Sequence, residues 1–249
     1  GRAGLRVTKS SQLAGVGEVY IESNGQRSGL FLDHGAENGA SYNGTVVLNT
    51  VSGTQEARIE AEGSKDSQSD AYYYVDRVIS NTYSSSAKNK LQISNHGTHD
   101  VVFGIGNILV ESGYMNIQTE SNTAAGEEQK GTFILNTVTL GEEANFRASV
   151  YGSFDENTNE FKLTTPPMLI EGKNGNITFN LASGAVVDFG GYNSADNRDW
   201  APEHITIAAS TIIVNIEDSD GSNLVYLSKP GLKTEAGNIR VVAASSNNT

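Results

Sequence analysis

Apolar residues in this chain recur at every second position over short runs. Nowhere do they keep the three-and-four spacing over about a dozen positions that a helix needs. Val19 and Ile21 alternate with Tyr20 and Glu22; Ala57, Ile59 and Ala61 with Arg58, Glu60 and Glu62. Met115 and Ile117 alternate with Asn116 and Gln118; Ile177, Phe179 and Leu181 with Thr178 and Asn180. Period two places one set of side chains inside and the other in water. The breaks between runs, such as Glu62-Gly63-Ser64 and Gly172-Lys173-Asn174-Gly175-Asn176, use residues that tolerate turns and positive φ. The most helix-friendly stretch, Ala124–Gln129, is short, carries Gly126 and reads as a loop. The fold class is therefore all-β.

The runs also repeat. Gly15–Ser23 matches Gly104–Ser112 at an offset of 104 − 15 = 89 residues, and Gly44–Val51 matches Gly131–Val138 at 131 − 44 = 87. Ala57–Ser64 matches Phe146–Ser153 at 146 − 57 = 89, and Leu91, Ile93, Val101 and Phe103 match Ile177, Phe179, Val187 and Phe189 at 177 − 91 = 86. Insertions fall in the polar breaks, where turns absorb them. One domain over 1–249 is expected, built from units 15–103, 104–189 and, in part, 190–249. Strands about every 10 to 15 residues, with few two-residue hairpin signals, favour a parallel β-solenoid over an antiparallel sandwich. Turns of about 22 residues would put about four in each unit. Gly15, Gly104 and Gly190 are then expected at equivalent corners, with Phe103, Phe189, Ile59 and Ala148 pointing inward. Asn49 and Asn136 are expected to stack as an amide ladder.

Composition narrows the function. The chain carries 29 acidic against 17 basic residues, a net charge of −12, so it lacks the cationic balance that nucleic acid requires. Without cysteine, disulfides and thiol chemistry are excluded. No apolar run approaches the roughly 20 residues of a helical membrane span. Gly1-Arg2-Ala3 leads into mixed polar sequence rather than a signal peptide, as expected of a mature or excised piece.

Gly-, Asn-, Ser- and Thr-rich β-runs, few prolines and the acidic balance resemble the passenger domains of bacterial autotransporters over residues 15–245. So do runs of the type Gly44-Thr45-Val46-Val47-Leu48-Asn49-Thr50, with a variant at Gly131–Thr137. The resemblance implies a right-handed parallel β-helix with lateral loops, displayed at the bacterial outer-membrane surface or secreted. The family includes adhesins, toxins, aggregation factors and a few enzymes, and the resemblance does not select among them; no carboxylate pair with a basic partner stands out, so a non-enzymatic adhesin, toxin or aggregation surface with no cofactor is expected. The partner would be a host-cell surface protein or glycan, or a second copy. The lack of cysteine agrees with a chain that threads a pore unfolded. The alternatives are a β-helical polysaccharide lyase or hydrolase, and a phage-tail or surface-layer solenoid. A lyase needs clustered carboxylates with a basic partner. Here Glu22, Glu60, Glu62, Glu111 and Asp188 are spread, and Arg58 and Arg147 repeat at equivalent outward sites.

Four stretches carry candidate site residues. The 190–204 stretch contains Asn193, Asp196, Arg198 and the only tryptophan, Trp200. Aromatics on long loops anchor ligands, and Asp196–His204 is expected to protrude and to be dispensable for folding. Tyr72, Tyr73 and Tyr74 form an aromatic run that reads as a binding surface or as a buried or edge strand. His96 and His99, with Asp100 adjacent, have metal-like spacing but lack further ligands, so a polar turn is the simpler reading. Asp218 and Asp220 sit in an Asp-Ser-Asp-Gly fragment of a calcium loop whose twelfth position, Leu227 counted from Ile216, is not the required glutamate.

Overall fold

A computed structural model of the chain describes residues 3–33, 38–64, 66–84, 87–120, 131–150, 152–158, 160–163, 165, 167–189, 204–217, 223–227 and 232–244. Its regular structure is strand, apart from one 3-10 turn at Ser10–Leu13. One parallel sheet contains, in spatial order, β1 (Ala3–Val7), β3 (Ser28–Leu32), β5 (Ala57–Gly63), β7 (Lys88–Asn95), β9 (Tyr114–Glu120), β11 (Asn145–Ser149), β16 (Val186–Phe189) and β18 (Leu224–Tyr226). The second is also parallel. It runs through β2 (Glu18–Asn24), β4 (Gly39–Ser52), β6 (Ala71–Thr82), β8 (Val101–Ser112), β10 (Gly131–Leu140), β15 (Asn176–Leu181) and β17 (Ile205–Glu217) to β19 (Leu232–Ala244). β14 (Met168–Gly172) lies in line before β15, and both pair with β10 and β17. A hairpin of β12 (Gly152–Asp155) and β13 (Glu160–Leu163) separates β11 from β14. From β1 to β11 the chain alternates between the sheets, each strand pairing with the next but one.

In-register parallel pairing stacks like side chains in columns. Ile21, Leu48, Ser80, Val110, Leu140 and Leu181 form one in the second sheet. Ala40, Tyr73, Phe103, Phe133, Ile170 and Ile207 form another. Leu30, Ile59, Leu91, Ile117, Ala148 and Phe189 line the first sheet. All are buried, and each large apolar one contributes about 1.5–3 kcal/mol. Phe103, Phe189, Ile59 and Ala148 point inward as expected. The sheets meet where the rings of Phe179 and Phe189 pack 6.0 Å apart.

The alternation breaks once along each long strand of the second sheet. Buried residues there lie three apart at Val75 and Val78, Ile105 and Ile108, and Leu135 and Val138, with Ala209 and Ile212 at the same place in β17. Two successive residues point outward between them, so the strand bends and the sheet is folded into two faces.

The register also corrects the repeat. Val19, Val46, Val78 and Ile108 share a column, so the 89-residue offset (108 − 19 = 89) spans three strand steps rather than four turns, about 14 Å. Ile59 and Ala148 are likewise three steps apart. Val46 stacks in the column of Val138, not Phe133, and Leu91 and Ile177 lie in different sheets. The matches at offsets of 87 and 86 residues therefore reflect similar strands, not equivalent positions. Gly15 and Gly104 are not equivalent corners: Gly15 has φ +77 in an open turn, whereas Gly104 lies inside β8. Gly190 lies outside the described residues, as does Ala124–Gln129. Glycines at positive φ stand instead at Gly25, Gly53 and Gly113, at φ 73, 76 and 71, between β2 and β3, β4 and β5, and β8 and β9; a Cβ on Gly53 would come 2.7 Å from the Gly25 Cα. Asn49 pairs in register with Asn81, while Asn136 falls in the bend. An amide ladder forms elsewhere, Asn215 donating to Asn180 at 2.9 Å.

Asn89 is the one wholly buried polar side chain in a column with Met115, Phe146 and Val187. Its amide donates to the carbonyls of Leu48 (3.1 Å) and Asn81 (2.9 Å), and its oxygen accepts from the Thr50 hydroxyl (2.6 Å). It thus ties together the ends of β4 and β6. Asn89→Ala would leave buried acceptors unpaired and should lower unfolding stability by about 1–3 kcal/mol, read as a reduced urea midpoint at unchanged slope.

Candidate functional site

In the first sheet the period-two rule fails in a telling way, because outward residues are buried too. Arg58 is 4% exposed, Glu60 0% and Gln92 1%. Arg58 shares a column with Lys90, Asn116 and Arg147, and Glu60 shares one with Gln92 and Gln118. Gly29 makes room for this face, since a Cβ there would come 3.0 Å from the Arg58 Cγ. The Arg58 guanidinium donates to Glu56, to Glu60 at 3.1 Å and to Gln92 at 3.2 Å. Ser94 donates to Glu60 at 2.8 Å, and Gln92 donates to Glu120 at 2.6 Å. Arg27 and Lys90 also reach Glu56, at 3.0 and 3.6 Å. Burial alone would raise the Glu56 pKa, but Arg58, with Lys90 and Arg27, holds it below the ordinary carboxyl value. Burial pushes Lys90 down. The cluster binds β3, β5 and β7 together, and its carboxylates are engaged by cations rather than free to act on a substrate.

The outward face of the second sheet is different in kind. Alternation along β6 turns Tyr72 and Tyr74 out and Tyr73 in. Tyr72 is 60% exposed and Tyr73 is 2% exposed. Tyr73 is therefore corrected from a binding candidate to a core residue; its hydroxyl donates to the Glu62 carbonyl at 2.5 Å, and burial raises its pKa. Tyr74 stacks in register on Gly104, which stacks on Ile134. The missing side chain at Gly104 opens a hollow of about 260 Å³ whose lining includes Tyr72, Tyr74, Val102, Gly104, Ile134 and Lys173, with the buried Tyr73 beneath. The Tyr74 ring lies over Gly104, and its hydroxyl lies 2.7 Å from where a Cβ on Gly106 would sit.

Lys173 reaches this place because the chain kinks between β14 and β15. Asn174 (φ 51) and Gly175 (φ 83) form the turn, and the Lys173 N–H donates to the Leu135 carbonyl at 2.7 Å. Its ammonium stands 5.1 Å from the Tyr74 ring centroid and donates to the Tyr74 hydroxyl at 3.4 Å. Tyr74 in turn donates to Asp76 at 2.9 Å. Burial and Asp76 raise the Tyr74 pKa against the opposing pull of Lys173. The result is an apolar, aromatic floor with hydroxyl and ammonium groups at its rim.

The histidines form a turn. Asn95 donates to the His99 carbonyl at 2.8 Å and accepts from the Gly97 N–H at 3.0 Å, while His99 lies 3.7 Å from Asp70. Among the described residues no three metal-ligating side chains converge. Asn193, Asp196, Arg198, Trp200, Asp218 and Asp220 lie outside the described residues. His204, expected at the end of a protruding loop, is 3% exposed, and its carbonyl accepts from the Met168 N–H at 2.8 Å. A dispensable loop must end before it. The part that Lys173, Gly104 and Ile134 play in the site escaped the sequence analysis, since nothing local links a turn lysine to a tyrosine 99 residues away.

Comparison with family models, curated proteins and solved structures returns no match.

The depressed Glu56 pKa has a definite pH signature. A carboxyl whose folded pKa lies below its ordinary value of 4.5 adds stability above that value and loses it as pH falls through the folded one. Urea midpoints should therefore fall with acid below pH 4.5, and less steeply in Glu56→Gln. Arg58→Ala leaves buried carboxylates uncompensated and should cost about 3–5 kcal/mol at neutral pH.

Proposed function

We propose that this chain is a segment of a bacterial autotransporter passenger, surface-displayed or secreted, folded as a right-handed parallel β-helix. It acts by binding and not by catalysis. The observation that carries the reading is the hollow on the second sheet, where an exposed tyrosine face meets a polar rim. That combination suits a glycan on a host cell: a sugar ring lays its C–H face on the aromatic surface, while its hydroxyls meet the Tyr74 hydroxyl and Lys173. Two parallel sheets with strands linked by variable breaks agree with a β-helix, and engagement of Glu56 and Glu60 by Arg58 argues against a lyase centre on the other face.

Glycan arrays and host-cell retention test the proposal. Tyr72→Ala and Tyr74→Ala should each weaken retention by up to roughly tenfold, the scale of one lost aromatic contact, with the β-type circular dichroism unchanged. Retention that neither substitution alters would refute the hollow as the site. Turnover of acidic polysaccharides with calcium present, abolished by replacing one acid, would favour the lyase reading instead.

A further inference from the structure

The rim of the hollow on the second sheet has a fixed order of donors and acceptors. β6, β8 and β10 beneath it are each paired along both edges. A tyrosine hydroxyl has one proton to donate, and Tyr74 gives it to Asp76 at 2.9 Å. Gly106 leaves room for that pair: a Cβ there would come 2.7 Å from the Tyr74 hydroxyl and 3.0 Å from Asp76 Oδ1. The same hydroxyl accepts from the Lys173 ammonium at 3.4 Å, so it offers a ligand only its second lone pair. Lys173 uses one of its three N–H groups there and keeps two. On the first sheet, Arg58 and Lys90 rest on the Glu56 carboxylate. Lys173 is half-buried against the Tyr74 ring instead, and among the described residues no carboxylate comes within 4.0 Å of its ammonium. Glu171, two residues earlier, borders a separate hollow with Ala208 and Ser210.

We infer that the hollow selects a sugar carrying a carboxylate, a sialic acid or a hexuronate, over its neutral counterparts; the inference rests on the reading of the hollow as a glycan site. The two remaining N–H groups of Lys173 match the two oxygens of a carboxylate, a charge-assisted pairing. The apolar surroundings of Val102 and Ile134 strengthen it by lowering the local dielectric. Asp76, at the other end of the Tyr74 relay, repels a carboxylate and keeps it on the Lys173 side. A sugar hydroxyl or amide N–H then donates to the Tyr74 oxygen, while the C–H face of the ring rests on the exposed Tyr72. At about 260 Å³ the hollow falls below the roughly 300–1,000 Å³ of ordinary ligand pockets. It therefore takes one terminal sugar ring, not a stretch of polymer. A net charge of −12 on the whole chain makes a lone ammonium at this rim the local exception that an anionic ligand needs.

Calorimetric titration of the 249-residue chain with sialyllactose, methyl glucuronide and the carboxamide of each decides the matter. The preferred acid should bind about tenfold tighter than its carboxamide, the scale of a hydrogen bond to a charged group, and the gap should shrink as salt rises. K173Q should bring that acid down to the affinity of its carboxamide and leave the carboxamide unchanged. K173R should keep the preference, and Y72A should weaken acid and carboxamide alike. Which of the two acids binds tighter tells a sialylated terminus from a uronate. Equal affinity of both acids and their carboxamides, or a preference that survives K173Q, would overturn the inference while the glycan reading stands on Y72A. If neither acid binds, the inference fails, and host-cell retention of Y72A judges the glycan reading on its own.

Discussion

In-register parallel pairing is the constraint on which the rest of this molecule depends. Once Val46 pairs with Val78, every inward residue of β4 is committed to a neighbour of the same parity in β6. A slip of one residue would turn an entire strand inside out. Strand length, corner turns and the placement of both outer faces follow from keeping that parity through successive steps. Where the strand has to change direction, two residues in succession turn outward, and the alternation resumes with its phase shifted.

The two outer faces use this frame differently. On the first sheet a column sets Arg58 beside Lys90, like charges that would repel if unpaired. Glu56 and Glu60 make it cohesive, with Gln92 and Ser94 extending the hydrogen bonds to the next strands. Such clusters are poor sources of net stability because desolvation offsets most of the attraction. Their effect is to fix which strands lie side by side. On the second sheet a glycine beneath a tyrosine in one column leaves relief on the outer surface, and relief is what recognition requires.

Much of the fold was legible because period two is a local signal: Ile177, Phe179 and Leu181 announce a strand in six residues. Parity also carried Phe103, Phe189, Ile59 and Ala148 to the interior correctly. Step count was not legible, since 89 residues divide into three long strand steps or four short ones and the sequence does not mark which. The similarity of Leu91–Phe103 to Ile177–Phe189 misled because strands of both sheets draw on the same β-branched and aromatic vocabulary. For the site, alternation alone separates Tyr72 and Tyr74 from Tyr73 once the phase is known. Lys173 and the buried Arg58 cluster depend on pairings between distant segments, which no local pattern encodes.

The bend has a consequence for how such a surface can change. Along it run Asp76-Arg77, Gly106-Asn107 and Asn136-Thr137, adjacent residues that share the outward side while Val75, Ile105 and Leu135 hold the interior. Elsewhere on a strand, an outward position is isolated between two inward ones. Here the outward residues come in pairs and align from strand to strand into a continuous ridge. Gly106 is the fixed point of the ridge, since a Cβ there would come 2.6 Å from the Asp76 carbonyl oxygen; at Arg77, Asn107, Asn136 and Thr137 substitutions leave the interior packing untouched and give latitude to acquire new specificity by small steps.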